Sequence, residues 1–269
     1  MGRTPLAILC GLSLVLVGCS GGRGKPVPPR SEPPPEQVAF TEAARNGDLA
    51  EVEAVLKAHP DWVNVQRKYG ETALHQAADN NHMAVIKSLL AHGADIEARD
   101  ADGMTPLALA ARFGNMVTLQ LLLDSGADIE TTDNTGRTLL RMAAARSPKW
   151  PGGGAEIVAF LIGKGLDVNA RDRFRRTALH DAAMNDSVEV ALLLIEHGAD
   201  VNAVQDYERL TPLHEAIRGN SVEIAEALIN AGADVNAKTG YGYSALKEAK
   251  EHYKRTEIIA LLKKHGAKE

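Results

Sequence analysis

The chain has 269 residues, of which 45% are hydrophobic and 24% are charged, so it can bury a core and is not globally disordered. Its formal net charge of −5 argues against general nucleic-acid binding, which needs a basic surface to displace counterions from phosphates. Both cysteines, Cys10 and Cys19, lie at the start of the chain, which excludes a disulfide framework or a cysteine-based metal site further on.

Residues 1–18 are predicted to be a cleaved signal peptide. Arg3 gives it a positive start, and the apolar run over residues 6–17 is too short for an ordinary membrane-spanning helix. The run ends in Leu16-Val17-Gly18-Cys19, which resembles the lipobox of bacterial lipoproteins. The resemblance implies cleavage before Cys19, a lipid on that residue and anchoring in the cell envelope. A plain secretory signal with an incidental cysteine is the alternative.

Residues 19–37 are predicted to form a tether behind the lipid. They are rich in Pro and Gly and contain almost no apolar side chain, so they cannot bury a core. In a polyproline conformation, the segment from Ser20 onward reaches at most roughly 55 Å. By resemblance to Gram-negative lipoproteins, a serine after the lipidated cysteine implies the outer membrane, with the protein facing the periplasm.

A period of about 33 residues runs through the rest of the chain. It appears in a series of hydroxyl residues that each precede a helical pattern: Thr72, Thr105, Thr138, Thr177, Thr211 and Ser244. The same rhythm appears in glycines that each end a second helical pattern: Gly93, Gly126, Gly165, Gly198, Gly232 and Gly266. A fixed period of this length is typical of a solenoid. We expect a threonine to cap the first helix, a glycine to end the second, and a polar turn such as residues 100–103 to follow.

This pattern resembles the ankyrin repeat. The residues that match its helix start are Thr72-Ala73-Leu74-His75, Thr105-Pro106-Leu107, Thr177-Ala178-Leu179-His180 and Thr211-Pro212-Leu213-His214. The resemblance implies an all-α solenoid of about seven helix-turn-helix units with short β-turn or hairpin fingers. We place the units at residues 38–66, 67–98, 99–131, 132–170, 171–203, 204–237 and 238–269.

Two departures from the repeat pattern stand out. Arg175 and Arg209 occupy the position of the turn glycine, so the turn is either kept at a cost of about 1–2 kcal/mol or remodelled. The fourth unit is six residues longer than the period, around residues 147–154, which lengthens the loop between its two helices.

The sequence predicts no catalytic, metal or cofactor site. His214-Glu215 begins like a zinc-protease helix, but Arg218 stands where the second histidine ligand should be. His75 and His180 share the repeat position of His214, and the resemblance implies that these histidines form hydrogen bonds between neighbouring turns. An enzyme is therefore only a remote alternative.

Aromatic side chains are the first candidates for contacting a partner, because tyrosine and tryptophan are common anchors of protein interfaces. Seven are expected on turn tips, groove edges or the insert: Tyr69, Phe113, Trp150, Phe174, Tyr207, Tyr241 and Tyr243. The alternative is that some of these rings lie flat on neighbouring turns and only stiffen them.

Basic residues are the second candidates. Residues 137–176 carry nine basic and three acidic side chains, a net charge of +6. We expect a positive middle stretch of the groove that meets an acidic surface of the partner and steers its association. A solvated charged face is the alternative. The arginines expected to contact the partner are Arg112, Arg137, Arg146, Arg173, Arg176 and Arg209.

The resemblances together imply a monomeric, lipid-anchored periplasmic scaffold or adaptor that binds another protein through its concave groove and finger tips. A sharper alternative is an inhibitor or immunity protein that blocks a toxin or a cell-envelope enzyme. A structural role that bridges the outer membrane to other parts of the envelope also stays open, because the tether could reach them.

Overall fold

The computed structural model describes residues 31–145 and 154–268. The predicted signal peptide, Cys19 with its lipid, most of the tether, Arg146 and Trp150 lie outside the described residues.

Fourteen α-helices form seven consecutive pairs in the described ranges. The first helices of the units are α1 Pro35–Asn46, α3 Ala73–Asp79, α5 Pro106–Phe113, α7 Leu139–Ala144, α9 Ala178–Met184, α11 Pro212–Gly219 and α13 Ala245–Glu248. The second helices are α2 Leu49–Ala58, α4 Met83–Ala91, α6 Met116–Asp124, α8 Gly154–Gly163, α10 Val188–Glu196, α12 Val222–Asn230 and α14 Thr256–Lys264. This arrangement confirms the all-α solenoid. Helix α1 begins three residues before the expected unit boundary at residue 38, at Pro35, since proline suits the first turn of a helix.

The first helices start as the sequence predicts. The hydroxyl of Thr72 accepts a hydrogen bond from the backbone N–H of His75, and Thr105 and Thr138 cap α5 and α7 in the same way. Each cap satisfies a backbone donor that the helix itself leaves unpaired. The second helices end at the expected glycines, for example Gly93 with a φ of +84°. Such a left-handed backbone favours glycine, which has no Cβ to clash.

A single hydrophobic core runs through the whole stack. The first helices contribute small side chains, such as the fully buried Ala77 and Ala78, so that neighbouring helices approach closely. The second helices contribute larger ones, such as Ile86 and Leu89, from one face. Because each unit buries its apolar face only against its neighbours, the fold depends on stacking.

Backbone hydrogen bonds hold the finger tips of adjacent units in register. The amide of Ala101 donates to the carbonyl of Tyr69, and equivalent bonds link every following pair of tips up to Gly240 and Glu208. The only β pairing in the described ranges is two isolated antiparallel bridges, Thr132 with Thr138 and Lys238 with Ser244. The tips therefore form a continuous row along one edge of the groove.

The turn with Arg175 keeps the left-handed conformation, with a φ of +59° and a hydrogen bond from its amide to the carbonyl of Asp172. Arg209 is also left-handed, at a φ of +53°, but its tip carries one extra residue and closes with the amide of Gln205 on the carbonyl of Leu210. The fifth unit thus retains the turn of the repeat. The sixth unit has a remodelled turn, which still contains a left-handed residue at Arg209.

Candidate protein-binding groove and finger tips

An aspartate at the base of each central tip fixes its shape. Oδ1 of Asp172 accepts hydrogen bonds from the amides of Phe174 at 2.9 Å and Arg176 at 2.8 Å. Asp133 does the same one unit earlier, for Thr135 and Arg137. Burial raises the pKa of Asp133, but these hydrogen bonds and the charge of Arg137 outweigh it and hold the pKa below its ordinary value. The tips are therefore rigid platforms for the side chains they carry.

Four of the aromatic candidates project from tips into solvent. Tyr69 is 56% exposed, Phe174 52%, Tyr207 70% and Tyr241 65%. Phe113, at the end of α5, is 43% exposed. Exposure of this extent is unusual for aromatic rings, since burying them is favourable.

Three of these rings lie on consecutive tips. Phe174 and Tyr241 occupy the same repeat position, three residues before the residue that caps the following helix. Tyr207 belongs to the tip between them and lies four residues before its cap, Thr211. We call Phe174, Tyr207 and Tyr241 the aromatic ladder. Backbone hydrogen bonds join these tips, from the amide of Asp206 to the carbonyl of Phe174 and from the amide of Gly240 to the carbonyl of Glu208, so the three rings lie on adjoining tips of units five to seven.

Tyr243 is placed differently from the other candidates. It is only half-buried, its ring centroid lies 5.0 Å from that of His252, and the ammonium of Lys247 lies 4.7 Å above it. Lys247 belongs to α13, and His252 belongs to the π-helical turn Ala249–Tyr253 that follows it. Tyr243 therefore matches the stiffening alternative better than a free contact surface.

The candidate arginines divide into paired and exposed groups. Arg137 forms an ion pair with Asp133 at 3.0 Å, and Arg112 lies 5.6 Å from the ring of Phe113. In contrast, the exposed Arg173 and Arg209 form no ion pair with any residue in ranges 31–145 and 154–268.

Arg175 belongs with the exposed group, because it is 58% exposed and lies 3.8 Å from an equally exposed Asp206. We call Arg173, Arg175 and Arg209 the basic tip patch. The patch shares its tips with Phe174 and Tyr207 of the aromatic ladder.

Arg141, which contributes to the basic window of the sequence, does not reach the surface. It is 3% exposed and pairs with Asp172 and with Asp181 at 2.6 Å. On α7 it occupies the repeat position that His75 occupies on α3. Burial alone lowers the pKa of Arg141, but the two carboxylates outweigh it and raise the pKa above its ordinary value. The net charge of residues 137–176 therefore overstates the positive charge at the surface, because Arg141 is buried and paired.

A row of buried and partly buried charges, which was not predicted from the sequence, continues from Arg141 along the first helices of the next units, the floor of the groove. Asp181, Glu215 and Glu248 occupy one repeat position on α9, α11 and α13. Arg176 lies 3.6 Å from Asp181 and 3.7 Å from Glu215, and Arg218 bonds to Glu248 at 2.9 and 3.0 Å. We call these residues, with Asp172 and Glu208, the charge ladder: Arg141, Asp172, Arg176, Asp181, Glu208, Glu215, Arg218 and Glu248. The recurrence of carboxylates at the period was the signal that could have revealed it.

The acids of the charge ladder outnumber its arginines, so the groove floor is not positive in units five to seven. Among the described residues of the basic window, the exposed basic side chains are Lys164, Arg171, Arg173 and Arg175, and the last two belong to the basic tip patch. Arg176, expected on a tip, lies half-buried at the base of one, with its side chain 32% exposed.

Glu215 is the most perturbed acid of the charge ladder. Burial raises its pKa from 4.5 to about 7, although the charges of Arg176 and Arg218 oppose this. Its Oε1 accepts a hydrogen bond from Gln205 at 3.2 Å, whereas its Oε2 has no hydrogen-bond partner among the described residues.

The recurring histidines have structural roles. Nε2 of His75 lies 3.0 Å from the carbonyl of Met104, and that of His180 lies 3.2 Å from the carbonyl of Leu210, which confirms the expected links between units. His214 forms the local bond with Thr211, but its Nε2 has no partner in the described residues. Burial lowers the pKa of both His180 and His214 to about 4.

A polar cavity of about 370 Å³ lies at the opposite end of the groove, next to Tyr69. Both of its arginines are already paired: Arg67 with Glu42 and with Glu32, 3.5 Å away, and Arg45 with Glu42 at 3.8 Å. No group of three or more His, Cys, Asp or Glu side chains in the described ranges is arranged to hold a metal ion. None of the described helices combines the length and apolar character needed to cross a bilayer.

Comparisons with known proteins agree with the fold. A family model of ankyrin repeats in three copies matches overlapping stretches at residues 40–133, 98–172, 118–205, 142–239 and 204–269. The chain belongs to the ankyrin-repeat family, whose members generally serve as protein-interaction scaffolds rather than enzymes. The ankyrin-repeat domain of human ASB11 superposes with a TM-score of 0.71 at 26% identity, over 83% of this chain and 96% of that one.

Curated relatives match over short stretches only. Ankyrin repeat domain-containing protein 49 of Bos taurus is 39% identical over 56 residues, which are 21% of this chain and 24% of that protein. The palmitoyltransferase akr1 of Schizosaccharomyces pombe is 54% identical over 39 residues, 14% of this chain and 6% of that enzyme. The chain thus spans less than a quarter of the length of either relative.

Proposed function

We propose that the protein binds an acidic surface of another protein through the aromatic ladder and the basic tip patch. The observation that carries this proposal is the exposure of three aromatic rings on consecutive tips beside three arginines. Arginine and aromatic side chains are the commonest anchors of protein interfaces. The exposed charges would steer the partner toward the tips and raise the association rate.

The proposal can be tested by capture from cell extracts with the full chain. A variant with Arg173, Arg175 and Arg209 changed to glutamate reverses the basic tip patch. A matched control changes the exposed Lys57, Lys87 and Lys264 of the second helices to glutamate. Wild type and control should retain the same partner, and the tip variant should lose it. Equal retention by both variants would show that the tips do not bind the partner.

We further propose that the protein is a lipid-anchored scaffold or adaptor of the periplasm, held in the outer membrane by a lipid on Cys19. The support is the lipobox-like Leu16-Val17-Gly18-Cys19 and the Pro/Gly-rich segment behind it. Cys19→Ser should release the protein into the soluble periplasmic fraction. Retention of this variant in membranes would exclude the lipid anchor.

The anchor combined with a dense set of interface residues also favours a second candidate, an inhibitor or immunity protein that blocks a toxin or a cell-envelope enzyme. The two functions differ in the effect of gene deletion. Loss of viability that is rescued by removing a neighbouring toxin gene supports the inhibitor, whereas viability without rescue supports the scaffold.

A further inference from the structure

The groove floor of units five to seven concentrates buried polar atoms without hydrogen-bond partners. In the described ranges, these atoms are Nε of Arg176, Nε2 of His214 and Oε2 of Glu215 and Glu248. Oε2 of Glu208 is not counted with them, because it is ion-paired with Arg218. Buried polar groups in folded proteins are nearly all hydrogen-bonded, so each unpartnered one needs an explanation. Their concentration on one stretch of the groove marks a place where polar groups of a bound molecule can be accepted.

Arg176 is the part of this stretch that a partner can reach. Its side chain is 32% exposed, and its Nη2 lies 3.6 Å from Oδ1 of Asp181 and 3.7 Å from Oε1 of Glu215. Both distances exceed that of a normal hydrogen bond. The two carboxylates therefore balance the charge of the guanidinium without forming normal hydrogen bonds to its Nη2. Arg176 also lies two residues from Phe174 of the aromatic ladder.

Glu215 opposes any anion that approaches Arg176. When Glu215 is ionised, Arg176 faces two negative carboxylates, and when it is neutral, Arg176 faces only Asp181. The charges that act on Glu215 come from the elements packed around it: Asp181 of α9, Arg176 before α9, Glu208 of the sixth tip and Arg218 of α11, which also pairs with Glu248 of α13. Gln205 of the sixth tip donates a hydrogen bond to its Oε1. Protonation of one carboxyl thus changes the charge balance at the reachable guanidinium.

We propose that a carboxylate of the partner binds Arg176 at the groove floor and that Glu215 takes up a proton from solvent as it binds. This proposal rests on the proposed function, in which the partner presents an acidic surface. No covalent bond changes: the partner's negative charge replaces that of Glu215 beside Arg176. Binding and protonation therefore strengthen each other, and association is favoured by mild acidity.

The surroundings make Glu215 the group that responds near neutral pH. Burial raises the pKa of Glu215 to about 7, whereas burial lowers the pKa of His180 and His214 to about 4. Between pH 6 and 8.5, the two neighbouring histidines consequently remain neutral while Glu215 changes charge.

The test uses the full chain in detergent and a labelled, terminally blocked tetra-aspartate peptide as the probe. Aspartate has an ordinary pKa of about 3.9, so the peptide keeps its charge between pH 6.0 and 8.5. At constant ionic strength, wild type should bind the peptide about tenfold more tightly at pH 6.0, the effect of a one-unit rise in the pKa of Glu215 on binding. Calorimetry at pH 7 in buffers of different ionisation enthalpy should show net proton uptake.

Four variants separate the contributions. Glu215→Gln should bind at pH 8.5 as tightly as wild type does at pH 6.0, without proton uptake. Arg176→Gln should weaken binding at pH 6.0 and remove the pH dependence. Glu223→Gln, at an exposed site on α12, should behave as wild type. Arg173→Gln should weaken binding equally at both pH values.

Two results would overturn the inference in distinguishable ways. If the peptide binds equally at both pH values and Arg173→Gln still weakens it, the tip surface stands and proton-linked binding is wrong. If the peptide does not bind at either pH, the acidic-partner proposal fails together with the inference. Proton uptake that persists in Glu215→Gln would assign the linkage to another group.

Discussion

Nε of Arg141 donates a hydrogen bond to Oδ2 of Asp181 at 2.6 Å, and both side chains are buried between neighbouring units. Arg141 also pairs with Asp172, the residue whose carboxylate shapes the fifth tip. One arginine of the fourth unit thus ties together a tip and a helix of the fifth. Arg141 lies on α7, the last helix described before residues 146–153 in the chain.

Replacing this arginine with leucine should destabilise the protein by about 3–5 kcal/mol, because the buried Asp172 loses its counter-charge and Asp181 keeps only the longer contact with Arg176. Arg171→Leu is the matched control, since Arg171 pairs with Asp200 at 3.4 Å in a partly exposed setting. Such a pair contributes at most about 1 kcal/mol. Urea unfolding followed by circular dichroism measures both variants, and equal losses would show that the buried link contributes no more than the surface pair.

The stability of the protein should have a broad optimum set by opposing groups. The pKa of His180 and of His214 falls from 6.5 unfolded to about 4 folded, so the unfolded state binds more protons and stability is lost as pH falls from 6.5 to 4. The pKa of Glu215 rises from 4.5 to about 7, so its contribution is present below pH 4.5 and lost as pH rises to 7.

Glu215→Gln should remove only the loss on the alkaline side of this profile. The variant should be more stable than wild type above pH 7, by an amount on the order of 3 kcal/mol at most. Unfolding curves collected from pH 4 to 9 measure the difference. A gain of the same size at pH 4.5, where both forms carry a neutral group, would contradict the assignment to Glu215.

The repeat architecture followed from the sequence because it depends on local signals. The threonine caps and the terminal glycines act within one helix, and their period defines the stack without knowledge of any contact. The aromatic residues of the tips were found for the same reason, since their position in the turn determines their exposure.

The charges could not be predicted in this way, because their partners lie one unit further along the chain. Arg171 pairs with Asp200, Arg175 with Asp206 and Arg176 with Glu215, so each counter-charge falls outside the basic window of residues 137–176. A net charge counted along the sequence therefore does not describe the surface of a stacked fold. Arg141 shows the same limit, since its two partners are 31 and 40 residues away.

The link between the sixth and seventh units should be weaker than the link before it. His180 bonds to Thr177 and to the carbonyl of Leu210, whereas His214 bonds to Thr211 and its Nε2 has no hydrogen-bond partner in the part of the chain that the structure describes. His180→Ala should therefore destabilise the protein by about 1 kcal/mol more than His214→Ala, the contribution of one hydrogen bond. Thermal unfolding of the two variants above pH 7, where both histidines are neutral, compares them without a protonation effect. A larger loss for His214→Ala would contradict this ranking.

The left-handed turn at Arg175 predicts a stabilising substitution. Its φ of +59° places the Cβ against the following carbonyl, a cost that glycine avoids. Arg175→Gly should stabilise the protein by about 1 kcal/mol, less whatever the more flexible glycine contributes to the unfolded state. Arg175→Ala is the control, because it also removes the weak contact with Asp206 but keeps the Cβ, and it should give no gain. Chemical unfolding measures the free energy of unfolding of both variants. Equal values for the glycine and alanine forms would show that the left-handed turn is not strained and that Arg175 does not destabilise the fold.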